Sequence, residues 1–346
     1  MNQSITNRRL PAEWEPQRIV QFTFPHRHSD WAYMLAEVTD CFVQMINTTA
    51  NYVPVVVVCD AEASIPNYFT RETKFPILFV NQASNDTWAR DHGAITILED
   101  HEPVLLDFAF NGWGKKFDAE KDNLISAGLA AQGFFKDELR STDFVLEGGA
   151  IESDGNGTLL TTTECLLSPH RNPTMEKEKI ESFLKETFGL HQVLWLDHGY
   201  LAGDDTDSHI DTLARLCNSN TIAYVKCDDL QDEHYPALQQ MEQQLMTFKT
   251  LEGQPYQLIP LPWPAACFDK EGHRLPATYA NFLITNGAVL VPTYNLPTDQ
   301  SAIEILQKCF PDREVIGVNC RPLIEQHGSL HCVTMQYPEE INISWL

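Results

Sequence analysis

The chain has 346 residues, of which 43% are hydrophobic and 21% charged, which is typical of a globular protein with a large core. Asp and Glu number 48 against 24 Lys and Arg, giving a formal net charge of −24. This surface repels phosphate backbones and anionic lipid and concentrates cations of any size. We therefore exclude nucleic acid as a partner.

The N-terminal segment MNQSITNRRLPAEWEPQ lacks the apolar stretch of a secretory signal. No run in the chain approaches the ~20 apolar residues that a membrane span requires. We therefore predict a soluble, cytoplasmic protein without membrane contact. The nine cysteines form no CxxC pair and no metal-ligand spacing, so we predict reduced thiols, most of them buried.

Short β-rich runs recur along the whole chain, with helical patterns between them. The predicted strands are 18–24, 53–59, 76–80, 94–98, 103–108, 157–163, 192–196, 221–225, 279–285, 288–292 and 332–336. No flexible linker, low-complexity segment or charge block interrupts this alternation. We therefore predict a single α/β domain that spans residues 1–346.

Three helices are predicted from apolar residues at steps of three and four. The first covers residues 31–50. The second has Thr174 as its N-terminal cap and ends at Gly189. The third begins at Thr298 or Asp299 and stops before a proline.

Four stretches place reactive side chains beside glycines or in strand-like segments. Each stretch alone fits an ordinary role: a surface ion pair, a turn, a satisfied His–Asp pair or a buried thiol. Their combination favours a catalytic site. The stretches are NDTWARDHG (85–93), EGGA (147–150), SHID (208–211) and HGSLHC (327–332).

Side-chain alternation predicts which of these residues share a pocket. If SHID is extended, His209 and Asp211 face one pocket while Ile210 faces the core. The same alternation in SLHCV sends His331 away from Cys332, so we interpret His331 as structural.

Two further features concern glycine and spacing. Gly148 and Gly149 remove side-chain bulk where backbone or substrate approaches closely.

Asp91, Glu147 and His209 follow one another at intervals of about 60 residues, and Cys332 follows after about twice that interval. This spacing favours repeated modules.

The order Arg-Asp, Glu-Gly-Gly, His-x-Asp and His-Cys resembles the agmatine deiminase and Porphyromonas-type peptidylarginine deiminase family of guanidine-modifying enzymes. The resemblance extends over nearly the whole chain. It includes LPAEWEPQ (10–17), ECLLSPHRNP (164–173), GDDTDSHID (203–211) and ATYANFLITNGAVLVP (277–292).

This resemblance implies a pentein fold, a five-bladed pseudo-symmetric α/β propeller with a buried axial site and neither metal nor cofactor. It implies Cys332 as the nucleophile and His209 as the general acid and base. It further implies that Asp91 and Asp211 hold the guanidinium and that Glu147 supports the site.

The implied reaction is hydrolysis of agmatine to N-carbamoylputrescine and ammonia through a covalent cysteine thiouronium, within putrescine biosynthesis. The expected partner is a small cationic guanidine, and a homodimer is a further option. Trp88, Trp14, Trp113 and Asp205 are the candidates for binding the rest of the substrate.

Several alternatives stay open at this stage. Family members usually have Thr-Gly-Pro where this chain has His92-Gly93-Ala94, and a glycine run where it has residues 326–330. These departures keep free arginine and peptidyl-arginine open as alternative substrates. The α-carboxylate of free arginine would need a cationic partner such as Arg90 or Arg274. Amidino transfer, hydrolysis of methylated arginine, a polyamine-binding protein without turnover and a metallohydrolase are the other readings.

Overall fold

The computed structural model describes residues 7–60 and 65–345, and strands and helices alternate through both ranges. The strands are β1 Arg8–Arg9, β2 Gln17–Thr23, β3 Val55–Cys59, β4 Ile77–Asn81, β5 Ile95–Glu99, β6 Glu102–Ala109, β7 Glu138–Val145, β8 Ile151–Ser153, β9 Thr158–Thr162, β10 Gln192–Leu196, β11 Ala214–Asn218, β12 Thr221–Val225, β13 Gln257–Leu261, β14 Cys267–Phe268, β15 Arg274–Leu275, β16 Leu283–Ile284, β17 Ala288–Thr293, β18 Glu314–Asn319 and β19 Thr334–Pro338. The helices are α1 Leu35–Thr49, α2 Ala89–His92, α3 Gly112–Lys115, α4 Ile125–Ala131, α5 Thr163–Leu166, α6 Lys177–Phe188, α7 Tyr235–Leu245 and α8 Asp299–Cys309.

Within the described ranges these strands form five sheets of three or four strands and one two-stranded hairpin, β14–β15. The sheet orders are β1-β5-β6-β7, β10-β9-β8, β11-β12-β13, β16-β17-β18 and β19-β2-β3-β4. The chain is therefore a mixed α/β protein.

One pairing pattern recurs in all five sheets. An antiparallel pair comes first, and a parallel strand follows on its far side. The antiparallel pairs are β5–β6, β8–β9, β11–β12, β16–β17 and β19–β2. The parallel strands added to them are β7, β10, β13, β18 and β3. This repetition is structural, since the sequence shows no visible repeat.

Local sequence explains the best-predicted elements. The run VVVVC of β3 is buried throughout because β3 has a parallel neighbour on each side, β2 and β4. Helix α1 buries Val38, Phe42 and Ile46 along one face. Helix α6 ends where predicted, at Gly189, whose φ of 69° is left-handed and favours glycine.

Other sequence predictions were wrong. Helix α6 begins at Lys177, after Glu176, so Thr174 does not cap it. The first predicted helix is split, because residues 30–34 form a 3₁₀ helix before α1. The strand predicted at 279–285 shortens to β16, and the strand predicted at 332–336 shifts by two residues to β19, because residues 279–280 and 330–333 form turns.

No helix within residues 7–60 and 65–345 is long and apolar enough to cross a membrane. All nine cysteines are free, and eight of them are buried while Cys309 is half-buried, as the scattered spacing predicted.

Candidate active site

The site is built where the chain enters the first strand of each antiparallel pair. A short helix or a turn precedes each of these strands. The turns are α2 before β5, the 3₁₀ helix Gly148–Ala150 before β8, the 3₁₀ helix Ile210–Thr212 before β11, the turn at 279–280 before β16 and the turn at 330–333 before β19. All four predicted catalytic stretches lie in or beside these turns, and the remaining turn, at 279–280, is followed by Asn281.

Hydrogen bonds join these turns to one another. The Arg90 amide donates to the Cys332 carbonyl at 3.1 Å. Asn281 bridges two turns, because its Oδ1 accepts the His331 amide at 2.9 Å and its Nδ2 donates to the Asp211 carbonyl at 3.3 Å. The Gly149 amide donates to Asp91 Oδ1 at 3.1 Å.

Gly149 marks the point where three of the predicted side chains converge. A Cβ at this position would lie 2.6 Å from His209 Nδ1, 2.8 Å from Asp91 Oδ1 and 3.1 Å from Asp211 Oδ2. Any side chain at position 149 would therefore displace His209, Asp91 and Asp211. The predicted need for bulk-free backbone after Glu147 is explained by this close approach.

The conformation predicted for SHID was wrong, although His209 and Asp211 do lie together. Residues 210–212 form a 3₁₀ helix instead of an extended segment. Both polar side chains are fully buried, and Ile210 packs in the hydrophobic core as expected.

His209 lies in an acidic environment. Its Nδ1 is 3.6 Å from Asp91 Oδ1, and neither ring nitrogen has a hydrogen-bond partner among the described residues. Burial opposes the imidazolium, but Asp91, followed by Cys165 and Glu147, outweighs it and raises the pKa of His209 to about 10. The imidazole is therefore charged near neutral pH and able to donate a proton.

Asp91 accepts two hydrogen bonds that fix its carboxylate, from the Gly149 amide and from Trp113 Nε1 at 2.9 Å. Burial raises the pKa of Asp91 to about 6, although the neighbouring His209 opposes this shift. Asp91 is therefore an oriented anion at neutral pH that loses its charge in mild acid.

Asp211 connects His331 to the candidate nucleophile, which corrects our placement of His331. Asp211 Oδ2 lies 2.8 Å from His331 Nδ1 and 3.8 Å from Cys332 Sγ. Strand alternation does not apply, because residues 330–333 form a turn. Asp211 Oδ1 is buried and has no partner among the described residues, so it can accept a substrate N–H.

Cys332 is 4% exposed, and its Sγ lies 3.4 Å from Asn281 Oδ1. Burial, followed by Asp211 and Asp91, raises the pKa of Cys332 well above its usual range. The thiol is therefore protonated until a cation arrives beside it.

Glu147 is held by an arginine that the sequence analysis did not single out. Arg171 Nε donates to both Glu147 oxygens at 2.9 Å, and its Nη1 bonds to Asp207 Oδ2 at 2.6 Å. Arg171 and Glu147 side chains are both fully buried. This pair ties the His209 loop to the Glu147 turn.

A cavity of about 430 Å³ of empty space leads to Cys332. We call it the Cys332 cavity. It is lined by Asp30, Asp86, Trp88, Asp91, Trp113, Phe117, Asp205, Thr206, Gln326, His327, Gly328 and Cys332. Its lining thus has four carboxylates and three aromatic rings, and no Lys or Arg of the described chain lines it.

Three of the four predicted tail-binding residues line this cavity. Trp88 donates from Nε1 to Asp86 at 3.0 Å, and Gly328 lies so close to the Trp88 ring that a Cβ there would come within 2.1 Å of it. Trp113 holds Asp91, and Asp205 Oδ2 lies 3.9 Å from His327 Nε2. The close approach of the Trp88 ring explains why residue 328, within the segment that departs from the family pattern, is a glycine.

Trp14 is the exception, and the geometry does not support it as a substrate-binding residue. Trp14 is absent from the lining of the Cys332 cavity, and it packs against the hydrophobic core. Its carbonyl accepts a hydrogen bond from Arg313 at 2.7 Å. The motif LPAEWEPQ did not indicate which way the Trp14 side chain points.

Sequence reasoning missed two buried residues of this site, Arg171 and Asn281, and gave a third, His331, a structural role away from Cys332. Arg171 and Asn281 lie in quoted segments, ECLLSPHRNP and ATYANFLITNGAVLVP, but neither residue is itself a carboxylate, an imidazole or a thiol. Only the turn preceding β16, by analogy with the other four turns, would have indicated Asn281.

One group of described residues could hold a metal ion. Ligand atoms of Glu147, Cys165 and His209 lie within 4.8 Å of one another. Both Glu147 oxygens already bond to Arg171, whose positive charge disfavours a second cation at this carboxylate.

Comparison with known proteins identifies the family. Residues 9–338 match the family model described as Porphyromonas-type peptidyl-arginine deiminase. The chain belongs to this family. A curated relative, the agmatine deiminase of Stutzerimonas stutzeri, is 31% identical over 95% of each chain.

Solved structures agree with this assignment. A Porphyromonas gingivalis protein provisionally named an arginine deiminase is 52% identical, with a TM-score of 0.92 over 96% of this chain and 99% of that one. The C. jejuni agmatine deiminase with substrate bound is 38% identical, with a TM-score of 0.91 over 97% and 98%. A dimethylarginine dimethylaminohydrolase, 13% identical with a TM-score of 0.52, is similar in fold alone.

Proposed function

We propose that the protein is an agmatine deiminase, a hydrolase that converts agmatine to N-carbamoylputrescine and ammonia through a covalent intermediate on Cys332. One observation carries the proposal: the cavity that ends at Cys332 is lined by four carboxylates and, among the described residues, by no Lys or Arg. Agmatine has a positive charge at each end and no carboxylate, so this lining complements its whole length.

The guanidinium is held by Asp91 and Asp211. A guanidinium carbon is a weak electrophile because its charge is shared over three nitrogens, and bidentate hydrogen bonds fix its plane for attack. Asp211 Oδ1 has no partner within the described residues, and Asp91 retains acceptor capacity beyond its bonds to Gly149 and Trp113. The bound cation also favours the thiolate of Cys332 by Coulomb attraction.

The covalent step forms a bond between Cys332 Sγ and the guanidinium carbon. The carbon–nitrogen bond then breaks, and His209 protonates the departing ammonia, for which its raised pKa prepares it. The neutral His209 next removes a proton from water, whose oxygen attacks the thiouronium carbon and releases Cys332. The product carries a carbonyl where the amine was.

The distal ammonium is met by the outer carboxylates of the Cys332 cavity. Burial, followed by Asp122 and Asp30, raises the pKa of Asp86 to about 8. Burial also raises the pKa of Asp205. Both carboxyl groups are buried, and an ammonium ion between them would favour their charged forms. The methylene chain lies against Trp88 and Trp113.

Arginine or peptidyl-arginine is the second candidate, because the P. gingivalis relative with 52% identity is provisionally named an arginine deiminase. The two arginines expected to meet a substrate carboxylate are committed elsewhere. Arg90 pairs with Glu13 at 3.1 Å, and Arg274 pairs with Asp232 at 2.7 Å. Neither lines the Cys332 cavity.

The test is incubation of the enzyme with agmatine, arginine and a peptidyl-arginine, with ammonia release and product mass as readouts. We expect turnover of agmatine at least about 100-fold above arginine, since an unpaired carboxylate in an acidic site costs several kcal/mol. Turnover of arginine or peptidyl-arginine alone would reject the assignment. Trapping the adduct and mapping its mass to Cys332 tests the nucleophile in the same samples.

The five sheets support a further part of the proposal, that they are the blades of an α/β propeller. Each sheet repeats one pairing pattern, and the turns before their first strands bond to one another around the site. The site would then lie on the pseudo-symmetry axis. The product, a carbamoylated diamine, fits a place in putrescine biosynthesis.

A further inference from the structure

A second cavity, of about 630 Å³ of empty space, is lined by the N-terminal motif LPAEWEPQ and shares no lining residue with the Cys332 cavity. We call it the Glu13 cavity. Its lining includes Glu13, Glu15, Arg90, Thr96, Glu152 and Gln336. Arg90 and Asp91 are neighbours in α2, yet they line different cavities.

A continuous set of hydrogen bonds connects the Glu13 cavity to Cys332. Glu13, whose side chain is 19% exposed, lies 2.8 Å from His331 Nε2. His331 is fully buried, and its Nδ1 lies 2.8 Å from Asp211 Oδ2. That oxygen is the one 3.8 Å from Cys332 Sγ. The set therefore alternates carboxylate, imidazole, carboxylate and thiol.

The proposed function leaves one proton without a destination. Cys332 is a thiol in the empty site, and it must lose its proton before attack. His209 is already protonated near neutral pH, so it cannot take a second proton. Substrate then fills the Cys332 cavity and excludes water from that side.

We propose that Glu13, His331 and Asp211 form a proton relay that carries the thiol proton of Cys332 into the Glu13 cavity. This inference rests on the proposed covalent attack by Cys332. His331 and Glu13 act through Asp211 and are thus positioning and relay residues, which neither the family match nor the relatives' names assign.

The step balances as follows. The Cys332 S–H bond breaks, its electron pair stays on sulfur, and the proton passes to Asp211 Oδ2. Asp211 gives a proton to His331 Nδ1 while Nε2 gives its own proton to Glu13, which releases it to water. Asp211 ends as an anion, His331 as the other neutral tautomer and Cys332 as the thiolate.

The surrounding charges suit this role. Arg215 Nη2 donates to Glu13 at 2.6 Å and lies 3.1 Å from His331 Nε2, and Arg90 also pairs with Glu13. Burial, Arg215 and Arg90 lower the pKa of His331, which keeps the ring neutral and able to accept a proton. Burial opposes ionisation of Glu13, but His331, Arg90 and Arg215 together lower its pKa. Glu13 therefore releases its proton to solvent readily.

The experiment measures the rate of adduct formation on Cys332 in a single turnover with agmatine, by rapid quenching and mass spectrometry from pH 6.5 to 9. We expect His331→Gln to slow adduct formation by about 100-fold at pH 7, the usual contribution of acid–base catalysis. We also expect its rate to rise about tenfold per pH unit, since hydroxide then removes the proton. Wild type should depend less on pH, and agmatine affinity should change little.

His234→Gln is the matched control, because His234 is also buried and pairs with a carboxylate, Asp232, at 2.7 Å, outside the site. It should leave the rate and its pH profile unchanged. Glu13→Gln provides a second variant if His331→Gln fails to fold, with the same pH profile expected. Wild-type rates and profiles in the relay variants, or equal losses in His234→Gln, would overturn the relay.

Failure of the proposed function gives a different result. In that case wild type forms no adduct with agmatine at all. The same measurement is then run with arginine, which needs the same thiolate, and the comparison of relay variants with wild type still decides the inference.

Discussion

The two cavities are both rich in carboxylates, but they differ in where the balancing charge comes from. In the Glu13 cavity, Glu13 and Glu152 pair with Arg215, and Glu13 also pairs with Arg90. In the Cys332 cavity, no arginine or lysine is among the described lining residues, and burial raises the pKa values of the Asp86 and Asp205 carboxyl groups. The protein thus supplies its own cations at one cavity and leaves the other to a ligand.

This difference separates structure from function in an acidic chain. A buried carboxylate with an arginine partner stabilises the fold only while both partners remain. A carboxylate without a partner costs free energy in the empty protein, and a cationic substrate recovers it on binding. Net charge alone cannot tell these cases apart.

The largest effect should come from removing the thiol of Cys332, the candidate nucleophile of the Cys332 cavity. Cys332→Ala should lower kcat by at least about 10⁴-fold, the order of loss seen when a hydrolase loses its nucleophile. Agmatine binding, measured by calorimetry, should remain, because both clamping aspartates stay. Cys309→Ala removes another free thiol outside the cavity and should retain full activity. Residual turnover in Cys332→Ala near the wild-type rate would refute covalent catalysis.

A pair of charge-removing variants tests the two cavities against each other. Asp91→Asn should weaken agmatine binding by about 30-fold to 1,000-fold, since it removes one side of a buried charged clamp. Glu152→Gln should instead lower the free energy of unfolding by about 3 kcal/mol, because it leaves Arg215 with one fewer buried partner. Titration calorimetry and thermal melting measure both. The comparison fails if the two variants show the same balance of binding and stability losses.

A pH titration sharpens the comparison without mutation. Asp91 has a pKa raised to about 6, so it is an anion above that pH and neutral below it. Agmatine affinity should therefore fall about tenfold per pH unit below pH 6, as one charged contact is lost. Ionisation of Asp86, whose pKa is raised to about 8, should add a separate rise in affinity near that pH. In Asp91→Asn this acid limb should disappear. A limb that persists unchanged would assign it to another group.

The sequence predicted the site's reactive residues better than the geometry that joins them. Family resemblance indicated Cys332, His209, Asp91, Asp211 and Glu147, and all five lie at or beside the connected turns. Period-two alternation assumed extended backbone at SHID and SLHCV, where short 3₁₀ helices and turns precede the strands. The predicted directions held at SHID and were wrong at SLHCV. Alternation holds only within a strand.

Two physical causes explain the parts that were not predicted. Strands β7, β13 and β18 are edge strands in which most residues are exposed or half-buried, so their sequences indicate a buried strand less clearly. Arg171 and Asn281 act by satisfying buried partners that are remote in sequence. Such long-range hydrogen bonds leave no periodic pattern in the sequence.

The smallest expected effect comes from giving the Cys332 cavity the cation that it lacks. Gln326 lines this cavity, and its Nε2 donates to the Asp30 carbonyl at 3.1 Å. Gln326→Arg should raise KM for agmatine about tenfold by repelling the distal ammonium, and it should raise kcat/KM for arginine several-fold by offering a partner to its carboxylate. Gln326→Met, which adds no charge, is the control. Because the change is electrostatic, both effects should shrink when steady-state kinetics are repeated at high salt. An equal loss for both substrates in Gln326→Arg would mean that shape, instead of the missing cation, sets the preference of this cavity.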